Sequence, residues 1–307
     1  MTKVNIGFIG LGKMGGLVAR RLAGAGYKLF VHDRIHANML AISRKGANAC
    51  RSPEELAYAL SAPRVIMLCI PAGAAIDELI RQVSPVLTKG DILADLGNSF
   101  YHDSVKRAGA LRKRGVHFID VGMSGGVTGA RNGACLMIGG VKRQAVKLDG
   151  IFKAISKNGS YKYFSRPGAG HLIKGFHNLI EYGYLQSLAE GLESLYRISV
   201  KGKMKLDLAE VCDIWSRGSI IESRLVFDAK TALRLNPGLK GISGSVNGQT
   251  LSEMRRLIRV ASASGVRNYS GAAAVRARLR SRSKPTYSGK LINAIRNVFG
   301  GHSEWKK

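Results

Sequence analysis

A glycine-rich stretch near the start of the chain, IGFIGLGKMGG (residues 6–16), constrains the fold more than any other segment. Gly10, Gly12 and Gly15 form GxGxxG between an apolar strand pattern and a helical pattern. In that context the first glycine permits a tight turn, and the second lets the backbone approach a pyrophosphate. The third lets helix and strand pack closely, with the helix N-terminus facing the anion. The stretch therefore predicts a dinucleotide-binding site.

The second predicted strand ends at a carboxylate, Asp33, which lies 18 residues beyond Gly15. A carboxylate at this position can accept hydrogen bonds from a ribose 2′-OH, and it would repel the 2′-phosphate of NADP. The next residue, Arg34, could instead bind that phosphate or stack on adenine. We predict NAD as the cofactor and keep NADP open. Lys13 and Met14, inside the glycine-rich turn, are also predicted to bind the cofactor.

Strand and helix patterns alternate through the first half of the chain. The strand patterns are VNIGFIG, YKLFVHD, RVIMLCI, DILADLG and HFIDVGM. Such alternation is typical of βαβ units and a parallel sheet. From about residue 168 only helical periodicity follows, with helices predicted at 169–199, 207–215, 220–235 and 251–262. The predicted fold is an α/β Rossmann-type doubly wound sheet (residues 1–167) followed by an all-α domain for substrate binding and dimerisation (residues 168–307).

The chain carries a formal net charge of +28, which favours anionic partners through long-range attraction. Its densest basic run is RARLRSRSK, residues 276–284. This run could bind nucleic acid or could be a solvated helix face. We favour the helix face, and no nucleic-acid partner, because no zinc-finger, RNP or helix-turn-helix signature accompanies it.

Other classes of protein are disfavoured by what the sequence lacks. No run of 18 apolar residues is present, so we expect no membrane span. The N-terminal stretch is typical of a first strand rather than a secretory signal, which predicts a cytoplasmic protein. The cysteines are widely spaced and lack CxxC pairing, so we expect buried free thiols and no metal site; they are Cys50, Cys69, Cys135 and Cys212.

A polar cluster interrupts the helical run after residue 168. Lys174, His177, Asn178 and Glu181 are spaced so that all four share one helix face, which is either a solvated stripe or a functional site. A lysine whose pKa is lowered by desolvation can accept a hydroxyl proton while hydride leaves for nicotinamide. A carboxylic acid two turns along the same face can protonate the enediol that remains after CO₂ leaves. Lys174 is thus the candidate base and Glu181 the candidate acid.

Three further stretches complete a recognisable set: DLGNS (95–99), DVGMSGGVTGARNG (120–133) and AIRNVFGGH (294–302). With the glycine-rich turn they resemble the β-hydroxyacid dehydrogenases, and HNLIEYG (177–183) is similar to the short, decarboxylating 6-phosphogluconate dehydrogenases among them. The resemblance covers nearly the whole chain. It implies an NAD(P)-dependent oxidoreductase that converts 6-phosphogluconate to ribulose 5-phosphate in the pentose phosphate pathway, as a homodimer with shared active sites.

The resemblance also implies roles for individual residues. Lys174 and Glu181 take the base and acid roles, Asn178 helps to hold the reacting hydroxyl, and His177 contacts the substrate. Asn98 can reach the substrate or the nicotinamide from the carboxyl ends of the strands. The other implied substrate contacts are Ser124, Gly125, Gly126 and Tyr182, together with Arg296 and His302, which would reach into the partner subunit's site.

The sequence departs from the family where the substrate phosphate is held. Glu222 stands at the position of a family arginine, and by alignment Gln249 and Leu251 stand at a lysine and a threonine. A carboxylate repels a phosphate dianion, and leucine offers it no hydrogen bond. The reaction type is therefore better supported than the substrate.

Three hypotheses follow from this departure. Arg217 or Arg224, which flank Glu222, or Arg296 could compensate, and 6-phosphogluconate then remains the substrate. Alternatively, the protein is a related β-hydroxyacid dehydrogenase acting on a different, unphosphorylated 3-hydroxyacid. A hypothesis of another class is a catalytically silent dinucleotide-binding protein whose basic surface binds nucleic acid.

Overall fold

The computed structural model describes residues 4–202, 204–246 and 251–301. The chain forms two compact units, Met1–Gly175 and Phe176–Lys307. The domain boundary predicted at 167/168 coincides with the start of a long helix at Ala169, whereas the division between the compact units falls inside that helix. Within the described ranges, no helix is both long enough and apolar enough to cross a bilayer.

The first unit is built on a sheet of eight strands among the described residues, in the order β3-β2-β1-β4-β5-β6-β7-β8. The strands from β1 to β6 pair in parallel, β7 runs antiparallel to β6, and β8 is parallel to β7. Their bounds are β1 (Ile6–Ile9), β2 (Leu29–His32), β3 (Asn48–Ala49), β4 (Val65–Leu68), β5 (Ile92–Asp95), β6 (His117–Ser124), β7 (Ala134–Gly139) and β8 (Ser156–Phe164).

Helices cover both faces of this sheet, which makes it doubly wound as predicted. Side chains alternate across the strands, so that on β4 Met67 packs into one buried cluster while Ile66 and Leu68 pack into the other. The helices of this unit are α1 (Gly15–Gly24), α2 (His36–Ser43), α3 (Pro53–Tyr58), α4 (Ala74–Val83), α5 (Tyr101–Arg112), α6 (Gly126–Asn132), α7 (Lys142–Ala145) and α8 (Asp149–Ile155).

Every regular element described in the second unit is a helix, as the sequence predicts. Its core contains Leu185, Leu192, Val226, Leu233 and Ile295, all at most 2% exposed. The helices are α9 (Ala169–Lys201), which begins in the first unit, α10 (Leu208–Trp215), α11 (Arg224–Leu235), α12 (Leu251–Ala263), α13 (Tyr269–Ser283) and α14 (Tyr287–Gly300).

The basic run falls largely on α13, where it is only in part the solvated face that we expected. Arg276 and Arg280 are exposed, but Arg278 is 1% exposed and ranks among the largest fully buried side chains. A helix turns by 100° per residue, so Arg278 points away from its two neighbours in the run.

The four cysteines are free, but the expectation that all are buried was wrong. Cys50 and Cys212 are buried, Cys69 is partly exposed and Cys135 is exposed. Cys135 is the second residue of β7, where its neighbours Ala134 and Leu136 point inward and the alternation of the strand turns Cys135 outward.

A buried carboxylate fixes the start of α9 against the sheet. Asp120, on β6 and 0% exposed, accepts hydrogen bonds from the backbone N–H of Gly168 at 2.7 Å and of His171 at 2.9 Å. A Cβ on Gly170 would meet the backbone oxygens of Asp120 and Met137, so only glycine lets the helix come this close. The helix N-terminus is thereby held on β6 and β7.

Replacing Asp120 tests this anchor. Asp120→Ala leaves two buried N–H groups without their acceptor, and we expect the free energy of unfolding to fall by about 3 kcal/mol. Asp120→Asn keeps one acceptor oxygen but turns an NH₂ group toward the second N–H, so about half of that loss is expected. Denaturant unfolding of the three proteins measures both values. Equal stability of wild type and Asp120→Ala would contradict the anchor.

Candidate active site

The glycine-rich turn between β1 and α1 has the shape that a dinucleotide needs. Gly10 has φ +94°, and a Cβ there would strike the carbonyl oxygen of Cys69. A Cβ on Gly15 would strike the carbonyl oxygen of Gly10, so the first turn of α1 packs directly on the loop. At Gly12, by contrast, a Cβ would meet nothing within 4 Å, which leaves the backbone there open to a ligand. The residues present therefore fit a pyrophosphate group at the N-terminus of α1.

Asp33 closes β2 and bonds to the turn itself. Its Oδ2 accepts from Leu11 N–H at 2.6 Å, and its Oδ1 accepts from Ile35 N–H at 2.7 Å and Asn38 Nδ2 at 3.2 Å. A carboxylate has about four acceptor positions, so capacity remains for a ribose hydroxyl. Lys13 and Arg34 are exposed.

Met14, the residue directly before α1, is half-buried. Cys69 packs against the glycine-rich turn, beside Gly10 and Gly15. Desolvation of its sulfur, with the nearby Asp95 carboxylate, raises the pKa of Cys69 to about 12, so the thiol stays protonated at neutral pH. It is a packing residue of the turn.

Asn98 lies in a hydrogen-bonded turn after β5. The buried Asp95 accepts from Gly97 N–H at 2.8 Å and from the Ser99 hydroxyl at 2.7 Å, and Arg107 donates to that hydroxyl at 3.1 Å. These bonds present Asn98, which is exposed, at the carboxyl edge of the sheet. The glycine-rich turn, Asp33, and the end of β6 lie at the same edge because β1, β2, β5 and β6 are parallel.

At the end of β6 the Ser124-Gly125-Gly126 segment turns sharply into α6. Gly125 and Gly126 have φ of +122° and +58°. Two residues earlier, a Cβ on Gly122 would clash with the Cβ of Lys174, so the stem of Lys174 crosses β6 at this glycine. Lys174 is 8% exposed. The structure therefore brings the predicted base next to the predicted substrate loop.

The other predicted site residues of α9, which are His177, Asn178, Glu181 and Tyr182, belong to the second unit. His177 Nδ1 lies 3.2 Å from Asn178 Oδ1 and 3.8 Å from Glu181 Oε2. An amide oxygen only accepts, so the first contact requires the proton on Nδ1. Tyr182, which follows Glu181, is 9% exposed.

Arg296, on α14, is 9% exposed and donates from Nη1 to Asn293 Oδ1 at 3.3 Å. Its reach into a partner subunit stays a prediction. His302 and Gln249 lie outside the described residues, whereas Leu251 opens α12 and is 4% exposed.

Glu222 and the two arginines near it form hydrogen bonds or ion pairs with residues four positions away in the sequence. Glu222 Oε2 accepts from Gly218 N–H at 2.7 Å. Arg217 pairs with Asp213 at 2.6 Å and Arg224 with Asp228 at 2.7 Å. The two arginines expected to compensate for Glu222 therefore already have acidic partners.

Sequence reasoning missed Arg278. Its guanidinium carbon lies 3.4 Å from the ring centroid of Tyr182, a predicted substrate residue. The available signal was its helical spacing from the buried Ala274 and Val275, which are four and three residues earlier and place it on the inward face of α13. Among the described residues, no group of three or more His, Cys, Asp and Glu side chains is placed to hold a metal ion.

Comparison with known families matches both units. The model of the NAD binding domain of 6-phosphogluconate dehydrogenase matches residues 5–164, and the model of the 6-phosphogluconate dehydrogenase C-terminal domain matches residues 187–304. The first match covers more than half of the chain.

Similar proteins agree with these matches. Bacillus subtilis YqeC, provisionally named a 6-phosphogluconate dehydrogenase, is 32% identical over 99% of this chain and 100% of its own. The Haloferax volcanii NAD(+)-dependent, decarboxylating 6-phosphogluconate dehydrogenase is 31% identical over 99% of both chains. The Plasmodium falciparum 6-phosphogluconate dehydrogenase, solved alone, with NADP+ and with 6-phosphogluconate, superposes with a TM-score of 0.76 at 27% identity. That match covers 91% of this chain and 64% of the Plasmodium chain, so this chain spans less than two thirds of it.

The roles of Gly12 and Gly15 in the turn can be distinguished by experiment. Gly15→Ala places a methyl group against the Gly10 carbonyl, and we expect it to lower the free energy of unfolding by about 1–3 kcal/mol. Gly12→Ala meets open space, so stability should stay within about 0.5 kcal/mol, but its methyl group occupies the surface offered to the pyrophosphate. Thermal unfolding with and without NAD or NADP measures both effects. The reading of Gly12 is wrong if its variant gains as much thermal protection from dinucleotide as the wild type.

Proposed function

Because the chain belongs to the 6-phosphogluconate dehydrogenase family, we propose that it oxidatively decarboxylates 6-phosphogluconate to ribulose 5-phosphate and CO₂, with reduction of a nicotinamide dinucleotide. One observation carries the proposal: Lys174 is buried with its stem on Gly122, beside the Ser124 segment and at the edge of the sheet that holds the dinucleotide turn. A solvated surface lysine would not be enclosed in this way. Family membership supplies the reaction class.

A nicotinamide dinucleotide held at the glycine-rich turn and Asp33 would supply the hydride acceptor for oxidation of the substrate's secondary alcohol. Lys174 takes the hydroxyl proton as the ketone forms, and Asn178 orients that hydroxyl. Ser124 and the N–H groups of the two following glycines hold the substrate carboxylate. Once the carbon–carbon bond to the carboxylate breaks and CO₂ leaves, the bonding electrons remain on the substrate as an enediolate. Glu181 then delivers a proton to carbon, which yields the ketose.

We propose NAD as the preferred cofactor, on the basis of Asp33. Its carboxylate stands at the end of β2 with unused acceptor capacity, and its negative charge opposes a 2′-phosphate. The exposed Arg34 is the feature that favours NADP. A homodimer that completes each site with Arg296 and His302 of the partner is part of the same proposal.

A second candidate is favoured by the altered phosphate positions. Glu222 caps a backbone N–H and Leu251 is packed in the core, so neither offers a phosphate contact. A related dehydrogenase of an unphosphorylated 3-hydroxyacid would tolerate both changes. Steady-state assays with NAD and NADP across 6-phosphogluconate, gluconate and short 3-hydroxyacids, with CO₂ and ketose detected directly, separate the two functions. Turnover of short acids alone, without CO₂ release, would reject the main proposal.

Substitutions at the two ends of the polar face test the assigned roles. Lys174→Met and Glu181→Gln should keep the fold but lose turnover by about a hundredfold or more, the usual scale for a missing acid or base. Pre-steady-state measurement of NADH formation should show hydride transfer blocked in Lys174→Met but retained in Glu181→Gln. The matched controls are Lys201→Met and Glu190→Gln, at exposed positions of the same helix, and they should behave as wild type. Near-normal turnover in both test variants would make the face a solvated stripe.

The cofactor assignment is tested by Asp33→Asn. The amide keeps an acceptor oxygen for Leu11 or Ile35 but removes the negative charge, so the preference of wild type for NAD over NADP should shrink by about tenfold or more. The ratio of kcat/KM for the two cofactors is the measurement, and thermal unfolding checks that the turn is intact. A wild-type preference for NADP would overturn the assignment directly.

A further inference from the structure

A cavity in the first unit lies near the C-terminal ends of α1 and α6 and is lined by three arginines. Its volume is about 620 Å³, which is in the range of small-molecule sites. No carboxylate is present among its described lining residues, which include Leu17, Arg20, Arg21, Arg131 and Ala154. The cavity therefore carries three positive charges, and this charge favours an anionic occupant.

Arg21 is held in place by backbone carbonyl groups of three segments. Its Nε donates to the carbonyl oxygen of Ala154 at 2.6 Å, its Nη1 to that of Arg131 at 3.5 Å and its Nη2 to that of Ser156 at 3.4 Å. A guanidinium has five N–H groups, so these bonds leave 5 − 3 = 2 of them, one on each terminal nitrogen. A bidentate contact with a phosphate uses two N–H groups. Arg21 is thus ordered before a ligand binds and keeps enough donors to bind one.

The side chains of Arg20 and Arg131 have no structural role that explains them. Both are exposed, and neither side chain forms an ion pair or a hydrogen bond within the described part of the chain. Three guanidinium groups without an acidic partner repel one another, and a bound anion relieves that repulsion. The arrangement is therefore explained by a ligand better than by the stability of the fold.

A second cavity of the first unit is a weaker candidate for an anion site. It measures about 450 Å³, and the carboxylate of Asp149 lies among its three lysines, which are Lys142, Lys153 and Lys162. Ammonium groups are point charges on flexible chains, whereas guanidinium groups form a planar fork that fits the oxygens of a phosphate. The arginine-lined cavity is therefore the better site for a phosphate group.

The arginine-lined cavity is separate from the dinucleotide turn and from the substrate loop, although it is built on the same two helices. The helix α1 begins at Gly15, beside the turn, and α6 begins at Gly126, in the loop. The cavity extends to Gly24 at the other end of α1, which is about 14 Å along the helix axis from Gly15 at 1.5 Å per residue. A ligand in the cavity thus contacts both helices away from the catalytic residues.

We propose that this cavity binds a small molecule that carries a diphosphate or two phosphate groups. Arg20, Arg21 and Arg131 bind the phosphate oxygens, and Leu17 and Ala154 contact the uncharged part of the ligand. Three positive charges without an acid match several negative charges better than a single carboxylate. The site is additional to the dinucleotide and substrate sites and does not depend on turnover. A bound anion connects α1, which follows the dinucleotide turn, to α6, which follows the substrate loop.

Isothermal titration calorimetry of the full chain with inorganic pyrophosphate tests the site. The variants are Arg20→Met and Arg131→Met, and the matched control is Arg112→Met, which removes the same charge from an exposed position of α5 on the other face of the sheet. Loss of one charge-assisted hydrogen bond should raise Kd by about 10- to 100-fold in both variants. The Kd of Arg112→Met should stay within about twofold of wild type. Arg21 is kept, because its removal would also free three carbonyl groups that the fold uses.

Glycine substitutions locate the bound pyrophosphate. Gly12→Ala blocks the dinucleotide turn and should leave one pyrophosphate site. Gly24→Leu keeps the three arginines but fills the cavity, because a Cβ at Gly24 meets nothing within 4 Å, and it should abolish that binding. The matched control is Gly109→Leu, at an equally open glycine of α5, which should bind as wild type does. The proposal is rejected if wild type does not bind pyrophosphate, if Gly12→Ala loses all binding, or if Arg20→Met and Gly24→Leu bind as tightly as wild type.

Discussion

Two backbone N–H groups at the start of α9 donate to one buried carboxylate, and the placement of Lys174 depends on that pair of bonds. Asp120 has no exposed surface, and these two N–H donors at the N-terminus of α9 supply hydrogen bonds to its buried carboxylate. Glycines surround it for a steric reason: a Cβ on Gly139 would meet the carboxylate, and one on Gly170 would meet the strand backbone. Once α9 is held at this distance, the first turns of the helix bring Lys174 onto Gly122. The segments around residues 120 and 168 are thus joined by the same hydrogen bonds.

Much of the fold could be predicted because buried parallel strands appear in the sequence as apolar runs. The strands β1, β2, β4 and β5 lie inside four such runs, β6 extends one residue beyond a fifth, and each is followed by a helix or a turn as expected. The strand β8 was missed because its sequence, SKNGSYKYF, is that of a polar, exposed edge strand. The helical face of α9 was predictable from spacing alone, since residues three, four and seven apart must share a face. The enclosure of Lys174 by β6 could not be predicted from spacing, because it depends on contacts between segments about 50 residues apart.

Arg278 shows a different limit of sequence reasoning. In RARLRSRSK every arginine has the same chemistry, and composition favours treating the run as one solvated patch. The helix separates them, because residues two apart differ by about 200° in direction. Burial of one guanidinium among them costs free energy, and its spacing from the apolar Ala274 and Val275 is the signal in the sequence that it faces inward. Only the partners of a charge, Tyr182 in this case, show that the position is specialised.

The net positive charge of the chain acts on anions from a distance. With 48 Lys and Arg against 20 Asp and Glu, one-to-one pairing leaves 48 − 20 = 28 cations without an acidic partner, and their summed field attracts any anion. That attraction is screened within about 8 Å at physiological salt, so it speeds encounter without distinguishing one sugar acid from another. A carboxylate on the exposed turn at residues 218–222 has a local use instead, because Glu222 accepts the N–H of Gly218 and so satisfies a backbone donor of that turn.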